Sequence, residues 1–333
     1  MGNWAIELDL LKPYEFIILH LTDTVAKVPI NCIDMYTNEN SIFNMSPGFR
    51  MVLFISITGL SMILGGLITF SIVAAALHVP FMEIQDVLLR PENTSITQIA
   101  NAIASIIGFG VPVLVVTYFT KGSFASNLGF KPITNEKQVG IVILLAFTGL
   151  ILSGALGDLT DKITFSNSIR TWATNLEAQY KKALMAMTHM RSIWDLLLAI
   201  IAIAVVPAIV EELYFRGTLQ KTITDWSGKP FVAIVITAIL FSAFHFSYFG
   251  FLSRMSLGIV LGLIYYYTKT IWLPILMHFV NNAIGVTALY AVRNNPKKID
   301  QVMDSNLTYY WVVIGFIALF ILFKQLKKTT DGV

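Results

Sequence analysis

The stretch "LLLAIIAIAVVPAIVEELYFRGTL", Leu196–Leu219, joins a long apolar run to two glutamates and an arginine. An α-helix needs about 20 mostly apolar residues to cross a bilayer, and this run provides them. Glu211, Glu212 and Arg216 lie near its end, where each unpartnered charge costs about 2.5–3.5 kcal/mol in lipid on insertion scales. The stretch therefore predicts a membrane helix whose charged side chains face inward, toward a partner or water.

The composition of the whole chain agrees with a membrane protein. The 333 residues are 56% hydrophobic and only 13% charged, with a mean hydropathy of +0.70. Soluble domains carry about twice that charged share. The net charge of +3 and the lack of a basic stripe argue against nucleic-acid binding, and the single cysteine, Cys32, excludes an internal disulfide and a cysteine metal cluster. The expected surroundings are the lipid bilayer.

Eight segments are long and apolar enough to predict spanning helices. They are residues 51–77, 99–119, 139–157, 194–219, 230–248, 254–268, 271–292 and 309–324. The expected fold is all-α: a polytopic integral membrane protein of about eight transmembrane helices, with a polar catalytic cavity in its C-terminal half. Residues 50–328 would form one transmembrane domain, and residues 1–49 an N-terminal extension at the membrane interface.

The connections between the spans predict the orientation and one further helix. Residues 158–193 place apolar side chains at helical spacing among lysines and arginines, which is typical of an amphipathic helix at the bilayer surface. Such a helix is also suited to gating a cavity. Lys and Arg are slightly more numerous on the side of the N-terminus, so the positive-inside rule favours cytoplasmic termini in a bacterial inner membrane.

Ionisable side chains inside the predicted spans fall in one half of the chain. Glu212 and Arg216 are four residues apart, share a helix face and are expected to pair. Glu211 is rotated by about 100° from Glu212 and is left without a local cation. One glutamate would thus be neutralised, while the other is available as a general base.

Two later spans contribute histidines. His278 and Asn282 are one turn apart and are suited to donating hydrogen bonds to an oxyanion. His245 follows Phe241 by one turn, so that the phenyl ring is expected to wall in the imidazole. Because no serine or cysteine is obviously paired with a base, the implied nucleophile is water and the implied reaction is peptide hydrolysis in or near the membrane.

One geometric conflict follows from this interpretation. Glu211 and His245 both lie late in consecutive, antiparallel spans, so straight full-length helices would place them at different depths. Either the fifth helix begins well below the surface, or one of the helices is broken or tilted. Gly228 and Pro230 are expected to set the start of the fifth helix.

Three motifs together resemble a known family. "EELYFR" fits an EExxxR pattern, "FSAFH" (Phe241–His245) fits FxxxH, and "HFVNN" (His278–Asn282) fits HxxxN. In this order, on successive membrane helices, they resemble the CPBP intramembrane glutamic proteases, which include the type II CAAX prenyl endopeptidases and bacteriocin-processing proteins. The resemblance covers about residues 194–292, which would be the catalytic core.

The resemblance implies a glutamate-dependent endopeptidase that needs no metal or other cofactor. Glu211 and His245 would activate water, and His278 and Asn282 would stabilise the oxyanion. The pair of Glu212 with Arg216 would organise the site. The substrate would be a membrane-associated peptide or a lipidated protein, processed in a CAAX-type or bacteriocin-type reaction.

Other interpretations of the same residues stay open at this point. Glu211 or Glu212 with His245 and His278 would make a His/His/carboxylate zinc site, although no HExxH motif is present. A non-catalytic membrane protein that binds a peptide, such as an immunity protein, would use the same residues. A proton-coupled transporter is a third class, but no inverted repeat is visible in the sequence.

Overall fold

The computed structural model describes residues 45–163, 166–303 and 307–330, and their regular structure is helical. The first helix begins at Pro47, slightly earlier than predicted, with the Ser46 hydroxyl accepting a hydrogen bond from the Phe49 amide as its N-cap. Most of the predicted N-terminal extension, residues 1–44 with Cys32, lies outside the described residues. The interfacial placement expected for it therefore stays a prediction.

Twelve helices follow one another in the described parts of the chain. They are α1 Pro47–Leu77, α2 Ile84–Leu88, α3 Pro91–Tyr118, α4 Phe124–Leu128, α5 Lys137–Asp161, α6 Asn167–Thr188, α7 Ile193–Ser227, α8 Pro230–Ala243, α9 Phe251–Thr268, α10 Trp272–Val292, α11 Pro296–Met303 and α12 Trp311–Lys328. Each of the eight predicted spans overlaps one helix, although the bounds differ by up to eight residues at either end. The helix predicted in the long connection is α6.

Six of the described helices are long and apolar enough to cross a membrane: α1, α3, α5, α7, α9 and α10. α8 is shorter, and α12 ends on lysines, two of them in its last turn. The apolar side chains of Val52, Ile55 and Ile63 on α1 are more than half exposed, which suits contact with lipid rather than water. The predicted all-α, multi-pass integral membrane protein is confirmed.

α7 carries the opening stretch and is the longest helix among the described residues. A capping box at Ser192 and Asp195 starts it, and Gly228, in the left-handed conformation with φ 66°, ends it. Residues 200–205 and 213–220 are wound as π-helix, a geometry that often marks functional sites. The second π-helical segment begins directly after Glu212.

The lengths of α7 and α8 bear on the conflict over depth, because α7 continues to Ser227, 16 residues beyond Glu211, while His245 lies 15 residues after Pro230. Pro230 occupies the first turn of α8, two residues after Gly228, as predicted, but the helix has only 14 residues. At 1.5 Å per residue it is about 21 Å long, which is short of the roughly 30 Å hydrocarbon core. The predicted helical span of 230–248 is therefore wrong at its C-terminal end, and His245 lies in the turn 244–250 between α8 and α9.

Two apolar clusters hold this arrangement. The first lies between α5, α9, α10 and α12, with Leu145, Leu261 and Met277 at its centre. The second joins α1, α3, α7 and α8 through aromatic rings, which include Phe54, Tyr214, Phe215 and Phe241. One side of α7 packs against the second cluster, and the other side packs against α10. The polar side chains of α7 are thus enclosed between their own helix, α9 and α10.

Candidate active site

The predicted ion pair is present at the centre of the bundle. Arg216 Nη1 donates to Glu212 Oε1 at 2.7 Å, and both side chains are completely buried. Arg216 Nη2 donates to the carbonyl of Gly258 on α9 at 3.0 Å. The guanidinium also lies over the ring of Phe241, 4.7 Å from its centroid. The pair therefore fixes α7 against both α8 and α9.

His278 joins this pair. Its Nδ1 lies 2.9 Å from Glu212 Oε1. A carboxylate only accepts hydrogen bonds, so the Nδ1 proton donates and the tautomer is set by Glu212. The other ring nitrogen, Nε2, lies 4.0 Å from Glu211 Oε2. Sequence spacing did not indicate this link, because α7 and α10 are far apart along the chain.

Glu211 has different surroundings from its neighbour. Its side chain is 12% exposed, whereas that of Glu212 is 0% exposed. Glu211 Oε2 has no hydrogen-bond partner among the described residues. Its distance to His278 is longer than a direct hydrogen bond. Glu211 is thus the less enclosed of the two carboxylates and has lone pairs free to accept a proton.

His245 is held by the end of α8. Its Nδ1 bonds to the carbonyl of Phe241 at 2.8 Å, so Nδ1 carries the proton and Nε2 presents a lone pair. The Phe241 ring contacts both imidazoles, with centroids 5.0 Å from His245 and 5.7 Å from His278. The predicted packing of the Phe241 ring against the His245 imidazole is present. Phe246, the next residue, has φ 49°, a conformation uncommon for a bulky side chain.

Asn282 lies one turn after His278 on α10, as expected, and also reaches α7. Its amide nitrogen donates to the carbonyl of Ile203 at 3.1 Å. Ile203 belongs to the first π-helical segment of α7. One hydrogen of the Asn282 amide group is therefore used to fix α10 to α7, and the second is left for another acceptor.

A second hydrogen bond between α7 and α9 was missed by the sequence analysis. Gln220 Nε2 donates to the carbonyl of Gly262 at 3.1 Å, one turn beyond the bond from Arg216 to Gly258. A Cβ at Gly258 would stand 3.0 Å from Ala238, and one at Gly262 would stand 2.9 Å from Ile234. The GxxxG spacing of "GIVLG" was the available signal, since it brings helices into close contact.

The residues of the zinc alternative are only partly brought together. Glu212 Oε1 already accepts hydrogen bonds from Arg216 and His278. In the parts of the chain that the structure describes, no group of three or more His, Cys, Asp or Glu side chains is arranged to hold a metal ion. The arrangement does provide a carboxylate and an imidazole lone pair, at Glu211 and His245, that are suited to handling protons.

Comparison with known proteins locates similarity in this region. A curated relative, an uncharacterised protein YpbD of Bacillus subtilis (strain 168), is 30% identical over 110 residues, which is 32% of this chain. The chain covers 53% of that relative, about half its length. No solved structure matches the chain.

A family match covers the helices that carry the site. Residues 193–284 match the family described as type II CAAX prenyl endopeptidase Rce1-like. These residues extend from the start of α7 into α10 and include all three motifs. The resemblance to the type II CAAX prenyl endopeptidases is thereby confirmed for residues 193–284.

Proposed function

We propose that this protein is an intramembrane endopeptidase of the CAAX type, in which Glu211 and His245 activate water without a metal ion. The observation that carries this proposal is the unequal state of the two adjacent glutamates. Glu212 is buried and hydrogen-bonded to both Arg216 and His278, whereas Glu211 is partly exposed. The family match over residues 193–284 supports peptide hydrolysis as the reaction class.

Water would be activated by Glu211 and oriented by His245. The Glu211 carboxylate takes one proton from the water, while Nε2 of His245 accepts a hydrogen bond from the other. The hydroxide attacks the carbonyl carbon of the scissile peptide bond. Glu211 then gives its proton to the leaving amine nitrogen, and the C–N bond breaks. The proton first removed from the water ends on the amine product, so the protons balance.

The charge that develops on the carbonyl oxygen would be stabilised from α10. Asn282 keeps one amide hydrogen free beside its bond to Ile203. His278 donates from Nε2 when its ring is protonated, and Glu212 holds the Nδ1 proton at 2.9 Å. Preorganised donors of this kind lower barriers because they need no rearrangement during the reaction.

The substrate class follows from the setting of the site. A site enclosed by membrane helices is accessible to peptides that are themselves anchored in the bilayer. We therefore propose a lipidated protein or membrane-associated peptide as the substrate, with processing at the bacterial inner membrane and both termini in the cytoplasm. The name of the matched family points to prenylated C-terminal peptides as the first substrates to test.

Exchange of Glu211 for Gln tests the proposed base. The amide keeps the size of the side chain but takes no proton, so turnover of a prenylated CAAX peptide should fall about 10²–10⁴-fold. The purified variant should unfold at the wild-type temperature. Glu92→Gln is the matched control, because Glu92 is an exposed glutamate at the start of α3. Wild-type turnover by Glu211→Gln would overturn the proposal.

Chelation separates the proposal from its zinc alternative. The metal-independent mechanism predicts full activity after exhaustive dialysis against a chelator and no gain when zinc is added back. Loss of activity that zinc restores would select the zinc version of the same protease. Comparative proteomics of membranes from cells that carry wild-type or Glu211→Gln protein would then identify the substrates, and identical proteomes would favour a binding or immunity protein.

A further inference from the structure

We propose that Glu177 on α6 is a positioning residue that fixes the turn 244–250, and through it His245. The inference rests on the proposed function, because it assumes that His245 acts on the reacting water. Glu177 lies outside the segment 193–284 that matches the family. α6 therefore takes part in building the site as well as connecting two spans.

A chain of hydrogen bonds joins Glu177 to the turn. Glu177 Oε2 accepts from the Ser247 hydroxyl at 2.8 Å and, over a longer distance of 3.4 Å, from the Phe249 amide. The Ser247 oxygen in turn accepts from the amide of Gly250 at 3.2 Å. Ser247 is only 3% exposed. Hydrogen bonds to a carboxylate are about twice as strong as neutral ones, so this chain is well suited to fixing the turn.

Two further contacts from α6 flank this hydrogen-bond chain. The Trp172 ring packs edge-on against Tyr248, with centroids 5.8 Å apart. The guanidinium of Arg254, in the first turn of α9, lies 4.6 Å from the centroid of Tyr180. α6 thus contacts the turn and the helix that follows it at three points, with Glu177 between the two aromatic residues in sequence.

The backbone conformation of the turn 244–250 depends on contacts from outside the turn. α8 ends at Ala243, so the backbone around His245 is not supported by a continuing helix. Phe246 keeps φ at 49°, a strained conformation that persists only where the surroundings fix it. The space is also filled, because a Cβ at Gly250 would collide with Arg254 and Ser247. Loss of the Glu177 carboxylate would release this constraint.

Hydrogen exchange and turnover, measured on the full chain in lipid nanodiscs, test the inference together. In Glu177→Ala, amide exchange across residues 246–251 should rise about ten- to a hundredfold, as expected for the loss of hydrogen bonds to a charged group. Turnover number for a prenylated CAAX peptide should fall about ten- to a hundredfold, since a misplacement of about 1 Å costs up to 10²-fold. KM should stay within about twofold of wild type, because a positioning role acts on the chemical step.

Three companion variants separate positioning from general stability. Glu177→Gln keeps an accepting oxygen and should retain most of the turnover. Glu177→Ala combined with Ser247→Ala should lose no more than the worse single variant, because both remove the same link. Gln179→Ala is the control, an exposed residue two positions along the same helix, and should behave as wild type.

Several outcomes would overturn the role of Glu177. Unchanged exchange in the turn of Glu177→Ala would do so, as would equal losses in Gln179→Ala. A fully active Glu177→Ala variant beside an inactive His245→Ala variant would overturn this role alone. Wild-type turnover by His245→Ala would instead overturn the proposed function, so the two failures are distinguishable.

Discussion

Glu211 and Glu212 are chemically identical neighbours with unlike surroundings. Glu212 is fully buried and bonded to Arg216 at 2.7 Å and to His278 at 2.9 Å, whereas Glu211 is partly exposed. A carboxylate buried without a cation would cost several kcal/mol. The fully buried Glu212 therefore requires Arg216. The two glutamates are thus not redundant, and their loss should have different consequences.

Removal of Arg216 should affect stability before it affects chemistry. Arg216→Met leaves Glu212 buried without its cation, which costs about 3–5 kcal/mol. Glu212→Gln combined with Arg216→Met removes the unpaired buried charge and should recover much of the lost stability. The measurement is the thermal unfolding midpoint of the purified protein in detergent. A double variant no more stable than Arg216→Met alone would contradict this account of the pair.

Among the elements, α8 and α9 pack closely against each other. Gly258 and Gly262 on α9 allow this approach, and their carbonyls accept hydrogen bonds from Arg216 and Gln220 on α7. In a bilayer, helix association depends on packing and on hydrogen bonds between helices, because lipid is as apolar as the side chains. The two glycines therefore support the position of α7 as well as the packing of α9.

Two glycine substitutions should shift stability in opposite directions. Gly258→Ala places a methyl group 3.0 Å from the Cα of Ala238, which forces the helices apart and should cost about 1–3 kcal/mol. Gly285→Ala meets nothing within 4 Å and should be neutral or stabilising by up to about 1 kcal/mol, because alanine favours helix. Thermal unfolding compares them, and equal midpoints would contradict the close contact.

At the scale of the whole molecule, the proposed topology has the chain alternate direction through the bilayer. Six of the described helices are long and apolar enough to span, and α8 and α12 counted with them make eight. An even number returns the end of α12 to the side on which α1 begins. α6 follows the third of these helices, α5, and would lie on the opposite side. With the termini proposed to be cytoplasmic, α6 and its contact with the turn 244–250 face the other side of the membrane.

Cysteine labelling of intact cells tests this topology. In a Cys32→Ser background, Lys182→Cys on α6 should react with an impermeant maleimide added outside. Lys328→Cys at the end of α12 should react only after the membrane is permeabilised. The reverse pattern would place the termini outside. Labelling of both positions from the same side would contradict the even number of spans. Cys32→Ser alone controls for background labelling.

The sequence by itself determined the helical, multi-pass class and the pairing of Glu212 with Arg216. Both depend on local properties, namely runs of apolar residues and the repeat of the helix, which brings residues four apart together. The motifs also carried the resemblance that the match over residues 193–284 bears out. The roles assigned to Glu211, His245, His278 and Asn282 stay predictions that the proposed variants test.

Only the tertiary structure decided which side chains meet across helices. The end of α8 at Ala243, which places His245 in a turn, depends on packing rather than on composition. The bonds of His278 to Glu212, of Asn282 to Ile203 and of Ser247 to Glu177 join residues 66, 79 and 70 positions apart. Periodicity within a single helix carries no information about such distant partners, because the relative rotation and depth of two helices are set by how their surfaces pack.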